Sequence, residues 1–321
     1  MNENDMKIYV NSFLNKKGIT NPFLMNIVSC FIFNHTKLYG DVIPFENLME
    51  RLNNNLNTII LKDPFEINYN DNFLPKNTVG IYEGFDKNTI TMFFTEENLK
   101  NEQLREDFIN ILLHELTHCA YNIKQNDYYK SEKQIFGIYH KKDDGTTPLY
   151  QGNYTYMEPI VNYVSCKISG KKNSAYMAQT LNFSKLTDIL DEKKLISSAF
   201  YSDEKEFKRC FDSLPNGAYD YFSNGMDWLN YGKEYGYKEG TEIMNNFFSG
   251  NIPNLDEKET KFKEIKKINP SFTTVTLEPY DEPKKKGFMK ILKRRGFVNL
   301  FLLTFILSII CIILIFLTFY K

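Results

Sequence analysis

The chain has 321 residues, 42% of them hydrophobic and 25% charged, with 39 Lys and Arg against 40 Asp and Glu. That balance excludes both a chain disordered throughout and one that crosses a membrane many times. The net charge of −1 hides an asymmetry: residues 284–321 hold eight basic residues and no acid, leaving 31 basic against 40 acidic residues in the body before them. An acidic body lacks the concentrated basic surface that phosphate neutralisation needs, so no nucleic-acid partner is expected.

In chain order, residues 7–35 read as helical, with apolar Ile8, Val10, Phe13 and Leu14, then Phe23, Leu24, Ile27, Val28 and Phe31 after a break at Gly18–Pro22. Between Ile59 and Phe94 the pattern shortens to strands, NTIILK, TVGIYEGF and NTITMFFT, the last two separated by Asp86-Lys87 as in a hairpin. Residues 104–123 carry the strongest helical pattern of the body, with Glu106 and Asp107 early and apolar Phe108, Ile109, Leu112, Leu116, Cys119 and Ile123. The polar stretch from Gln125 to Tyr156 reads as a loop or lid. Beyond it, to about Lys267, the segments EPIVNYVSCKIS, SAYMAQTLN, SKLTDILDEKKLISSAFY, EKEFKRCFDSL, YGYKEGTEIMNNFF and EKETKFKEIKKI read as helices. Trp228 and the aromatics around it are expected in the core of this helical part. Five cysteines, Cys30, Cys119, Cys166, Cys210 and Cys311, are scattered without a CxxC pair and read as reduced, mostly buried thiols.

The tail is of another kind. Phe297 to Tyr320 is 24 residues without a charge, and as a helix it would extend roughly 36 Å, enough for a hydrocarbon core of about 30 Å. Seven basic residues precede the stretch between Lys284 and Arg295, and only Lys321 follows it. By the positive-inside tendency the body is expected on the cytoplasmic face of a membrane, anchored to the bilayer by one C-terminal span. The N-terminal residues MNENDMKIYVNSF show no basic region followed by an apolar run, so no signal peptide is expected. The expected organisation is α+β: a mixed lobe over residues 1–124, a mainly helical lobe over 125–268, a basic linker over 269–296 and a transmembrane helix over 297–320.

Within the strongest helix, His114-Glu115-Leu116-Thr117-His118 spells H-E-x-x-H and uses two of the four histidines. Residues four apart on a helix lie one turn above each other, about 40° from eclipsed, so both imidazoles can bind one metal ion. Glu115, beside that pair, can take a proton from a metal-activated water. The apolar neighbours Ile111, Leu112, Leu113, Cys119 and Ala120 imply a buried helix, where His114, Glu115 and His118 need partners. A shared Zn²⁺ is the expected one. His35 and His140 read as surface or capping residues.

HELTH with apolar flanks resembles the zincin metallopeptidases. The metzincin branch is excluded, because its longer pattern requires Gly where this chain has Tyr121 and His where it has Lys124. The chain is therefore similar to gluzincins of the thermolysin and lethal-factor kind. That resemblance implies a third zinc ligand from a Glu on a later helix, with a polar supporting residue four positions on. Glu158 and Asn162 fit best, Glu132, Glu192 and Glu204 having poorer contexts. Pro159 is expected to put Glu158 at the very start of its helix. The resemblance further implies a tyrosine that stabilises the oxyanion, for which Tyr150 is chosen over Tyr154 and Tyr156. It also implies an edge strand that pairs with an extended substrate, assigned to Asn88–Phe94. The function expected is a membrane-anchored zinc metallopeptidase, a hydrolase of peptide or protein substrates. The alternative is a non-catalytic binding or scaffold protein on the same fold.

Overall fold

The Gly18–Pro22 break ends one helix and starts another. Helix α1 (Glu3–Lys16) begins at Asn2, whose side chain accepts from Asp5, and stops before Gly18, which takes a left-handed φ of 67°. Asn21 accepts from Phe23 and Leu24 and Pro22 opens α2 (Pro22–Tyr39), so both devices that favour a helix N-terminus act at one point. These elements belong to a computed structural model that describes residues 2–64, 79–84, 87–122, 138–141, 148–151, 154–171, 176–231 and 234–252.

Helix α3 (Phe45–Asn55) has no counterpart in the sequence reading, although Phe45, Leu48, Met49 and Leu52 recur at helical spacing and are all buried. Strands β1 (Thr58–Leu61), β2 (Gly80–Glu83) and β3 (Thr89–Met92) form a sheet of order β1-β3-β2, β3 running parallel to β1 and antiparallel to β2. This corrects the assignment of residues 88–94 as an edge strand. β3 is central, and Thr89 and Thr91 are buried along with Ile90 and Met92. Alternation of threonine with apolar residues reads as one wet face, but here both faces are covered. Among the described residues the edges are β1 and β2.

Helix α4 (Glu102–Tyr121) carries the motif and packs against α2, α3, β2 and β3. Asn101 caps it, accepting from Leu104 at 3.2 Å. Its other end is closed by α3: Asn55 Nδ2 donates to the carbonyls of Cys119 (2.9 Å) and Asn122 (2.6 Å), and Arg51 donates to Asn122 at 3.2 Å. A cation at a helix C-terminus is also favoured by the helix dipole.

Within the stretch expected as loop, β4 (Ile138–Lys141) and β5 (Pro148–Gln151) pair antiparallel. Six helices follow: α5 (Tyr154–Ser169), α6 (Met177–Thr187), α7 (Glu192–Tyr201), the short α8 (Glu204–Arg209), α9 (Ala218–Tyr231) and α10 (Glu234–Phe248). The described part is thus mostly helical with a small three-stranded sheet. Helix α5 packs on α2, α4, α6 and α9, which brings the later helices onto the motif helix. Trp228 on α9 is buried, as expected. Of the four described cysteines, all free, only Cys119 is buried and Cys30 is exposed, so mostly buried overstates the case.

Residues 1–278 form one unit and residues 279–321 a second. The basic flank and the apolar stretch 297–320 lie outside the described residues, among which no helix is long and apolar enough to cross a membrane.

Candidate metal centre

One turn of α4 separates His114 from His118, and their Nε2 atoms lie 3.0 Å apart. Helix α5 brings Glu158 against both: Oε2 is 3.2 Å from His114 Nε2 and Oε1 is 3.4 Å from His118 Nε2. The three side chains are at most 16% exposed. Among the described residues, this is the grouping of His, Cys, Asp or Glu side chains able to hold a metal.

Protons alone do not serve this triangle. An imidazole Nε2 that donates to the carboxylate has no lone pair left for its neighbour, and if both donate they confront each other as two N–H groups. Glu158 Oε2 is buried and close to His114 without the alignment of a hydrogen bond. A cation satisfies all three groups together. Zinc–nitrogen and zinc–oxygen bonds of about 2.0–2.1 Å at tetrahedral angles need donors about 3.3 Å apart, against the 3.0, 3.2 and 3.4 Å found. The donor set of two imidazoles and one carboxylate therefore fits Zn²⁺, with a fourth position left for water or substrate.

Glu158 reaches the histidines from the fifth residue of α5, because the helix starts at Tyr154, earlier than Pro159 suggested. Inside a helix Pro159 withdraws the N–H that would bond the Thr155 carbonyl. Asn230 of α9 supplies a donor to that carbonyl at 3.4 Å, and the Thr155 hydroxyl donates to Asp227 of α9. The structure thus offsets the missing bond from a neighbouring helix, which the local sequence does not reveal. Neither described rival sits here: Glu192 accepts from Tyr39 and faces Lys167, and Glu204 pairs with Lys208. Glu132 lies outside the described residues.

Glu115 is buried, and its Oε2 accepts the Tyr82 amide of β2 at 2.8 Å. Val79 and Phe93 are hydrogen-bonded across the hairpin, so alternation turns the amides of Gly80 and Tyr82 to the outer edge of β2. The strand comes this close because Gly80 has no side chain. A Cβ there would lie 2.6 Å from Ile111 Cγ2 and 3.4 Å from Glu115 Cγ. Tyr82 is anchored as well, its hydroxyl donating to the Asn55 carbonyl and accepting from Asn122.

Electrostatics separate the two carboxylates. Burial raises the pKa of Glu158, but the two imidazoles overcome it and hold the carboxyl well below its usual range. Burial also raises Glu115, the charge of Glu158 adds to that, and the histidines and the Tyr82 amide oppose it without prevailing. Burial works against a charged His118, yet Glu158 and Glu115 hold its pKa above the ordinary value. One carboxylate is thus a fixed anion and the other is poised to exchange a proton.

The structure brings together His114, Glu115, His118 and Glu158 of the residues singled out by sequence. Asn162 is fully buried and donates to Thr180 on α6 at 2.8 Å. Tyr150 lies on β5 opposite Tyr139, and its side chain is outside the described residues. Tyr156 is a core residue, hydrogen-bonded to Ser223 and packed on Phe207 and Phe222. His35, expected at the surface, is fully buried, because the apolar face of α2 continues through it. Sequence reasoning missed Gly80, Tyr82 and Tyr176. A glycine inside a strand pattern signals close approach of another element and marks the first; no local signal marks the others. Compared with known protein families, with curated proteins and with solved structures, the chain finds no match.

Proposed function

We propose that this chain is a membrane-anchored zinc metallopeptidase that hydrolyses peptide bonds on the cytoplasmic side of a membrane. The observation that carries the reading is the convergence of His114, His118 and Glu158 donors within 3.0–3.4 Å of one another, next to a buried glutamate of raised pKa. A bound zinc ion would supply Lewis acidity, polarising a substrate carbonyl and making water acidic enough to lose a proton near neutral pH.

The chain's own residues do the remaining work. Glu115, with Oε2 held by the Tyr82 amide, takes a proton from the attacking water on its other oxygen and returns it to the departing amine nitrogen. A raised pKa suits a group that must both accept and give back a proton. The outer edge of β2 runs beside Glu115 and offers the backbone groups of Gly80, to which an extended peptide can add as a strand. The uncharged stretch 297–320, with seven basic residues before it and one after it, would hold the body at the membrane.

The test uses the full chain purified in detergent, loaded with zinc and given a peptide library. Wild type should cleave. Glu115→Gln should retain about one zinc per chain and lower turnover roughly 10²-fold or more, since the base is lost and the ligands remain. Equal turnover in the variant would remove Glu115 from the chemistry. A zinc-loaded wild type that binds peptides without cutting them would favour the scaffold alternative.

A further inference from the structure

A metal-ligating imidazole is ordinarily oriented by a hydrogen bond from its other ring nitrogen to a carboxylate or a backbone carbonyl. Among the described residues His114 lacks that bond: its Nδ1 is buried and finds no hydrogen-bond partner there. What faces the imidazole is the ring of Tyr176, with 8° between the planes and 6.1 Å between the centroids.

Tyr176 does not suit its backbone position. It occupies the N-cap of α6 in the left-handed region, φ 50° and ψ 33°. An N-cap favours Ser, Thr, Asp or Asn, and a left-handed backbone is unfavourable for a residue other than glycine. The backbone position itself therefore does not call for a tyrosine, and the ring it places lies parallel to His114. The backbone of Tyr176 is tied back to the helix that carries the third donor of the site. Asn162, one turn beyond Glu158 on α5, donates to Thr180 Oγ1 at 2.8 Å, and the Thr180 amide donates to the Tyr176 carbonyl at 2.9 Å. Asn162 and Thr180 thus join α5, which carries Glu158, to the first turn of α6, whose Tyr176 ring lies parallel to His114.

We propose that Tyr176 is a positioning residue for His114, its ring restraining the imidazole rotation that a hydrogen bond at Nδ1 would otherwise fix, with the Asn162–Thr180 bond holding the first turn of α6 against α5. The proposal rests on the zinc reading above and adds to it a residue outside the ligand set.

The test measures zinc affinity of the full chain by chelator competition, the visible spectrum of the cobalt(II)-substituted protein, and the melting temperature of the metal-free chain. Tyr176→Phe keeps the ring and should match wild type in all three. Tyr176→Asn removes the ring but tolerates the left-handed backbone. It should weaken zinc about 10-fold or more and alter the cobalt spectrum, while the metal-free melting temperature stays level or rises. Thr180→Val, which removes the acceptor of the Asn162 bond and loosens α6 on α5, should weaken zinc in the same direction by less. Unchanged affinity in Tyr176→Asn overturns the proposal, and so does an equal loss in Tyr176→Phe, which would assign the effect to the hydroxyl. A lowered metal-free melting temperature in Tyr176→Asn, with zinc affinity unmoved in Thr180→Val, would make the ring a packing element only and overturn it too. If wild type takes up no zinc, the metal reading fails and this proposal with it; zinc uptake indifferent to the variants removes this proposal alone.

Discussion

His35 and His118 are both imidazoles within the helical core, and their surroundings treat them in opposite ways. His35 on α2 lies among Phe31, Tyr39, Tyr121 and Phe200, with ring centroids 5.4–6.5 Å away and one hydrogen bond of 3.0 Å to the Tyr121 hydroxyl. Burial pushes its pKa down to about 3. His118 on α4 meets the same desolvation, but Glu158 stands 3.4 Å from its Nε2 and holds the pKa above the ordinary value. Burial by itself turns a histidine into an inert core group. A carboxylate delivered by another helix turns it into a ligand candidate. The two regions are adjacent, since Tyr121 follows His118 by three residues on the same helix, so the contrast comes from side chains and not from distance.

The severest test of that contrast compares the loss of each histidine. His114→Ala or His118→Ala should weaken zinc binding roughly 10³-fold, because a site of three protein ligands loses one. His35→Phe should leave zinc content at the wild-type level. Metal analysis after dialysis against a chelator reads both; zinc retained in the first two variants, or lost in the third, would erase the distinction. The carboxylate side comes next. Glu158→Gln keeps the shape and removes the charge, so affinity should fall roughly 10²-fold, whereas Glu192→Gln and Glu204→Gln, whose partners lie elsewhere, should leave it nearly unchanged. Loss confined to either of those would relocate the third ligand.

The His35 side is read through pH. Its folded pKa lies below the ordinary 6.5, so on acidification the unfolded chain takes up the proton first. Stability is therefore complete above about pH 6.5 and falls as the pH drops toward 3. Between pH 7.5 and pH 5 the wild type should lose about 2 kcal/mol more unfolding free energy than His35→Phe. Denaturant titrations of both chains at the two pH values measure this directly, and parallel losses would mean that His35 is not held neutral.

The motif and its helix were legible because they rest on local spacing, and Glu158, to which the resemblance and an apolar pattern pointed, lies beside both histidines. Most of the later helices were legible for the same reason, but α9 was read only as core aromatics around Trp228, and residues 184–201, read as one helical segment, divide between α6 and α7. What was not legible depends on neighbours distant in sequence. Pro159 marked a helix start by local rules, but Asn230 and Asp227 allow α5 to begin at Tyr154. Residues 88–94 read as an edge strand, but β3 lies between β1 and β2 with Thr89 and Thr91 buried. His35 read as a surface residue because it follows an apolar run, when it is the continuation of that run. Nothing local ties Tyr176 to His114, since their alignment depends on how α6 docks on α5.

The smallest expected effect probes how finely the site depends on its sheet. At Gly80 an added Cβ would press 2.6 Å from Ile111 Cγ2 and 3.2 Å from Met92 Sδ. Ile111 is β-branched and stiff, so in Gly80→Ala the strand should back away from α4. The overpacking should cost about 1 kcal/mol of stability. Retreat of β2 lengthens the Tyr82 N–H contact to Glu115 while leaving the ligands on α4 and α5 in place. Turnover should therefore fall several-fold with zinc affinity unchanged, and the acid-induced loss assigned to His35 should be unchanged as well, because β2 takes no part in that cage. A steady-state assay beside a chelator titration separates the two. Unaltered turnover would show that the Tyr82 amide does not hold the base, and a matching fall in zinc affinity would show that sheet and ligands move as one body.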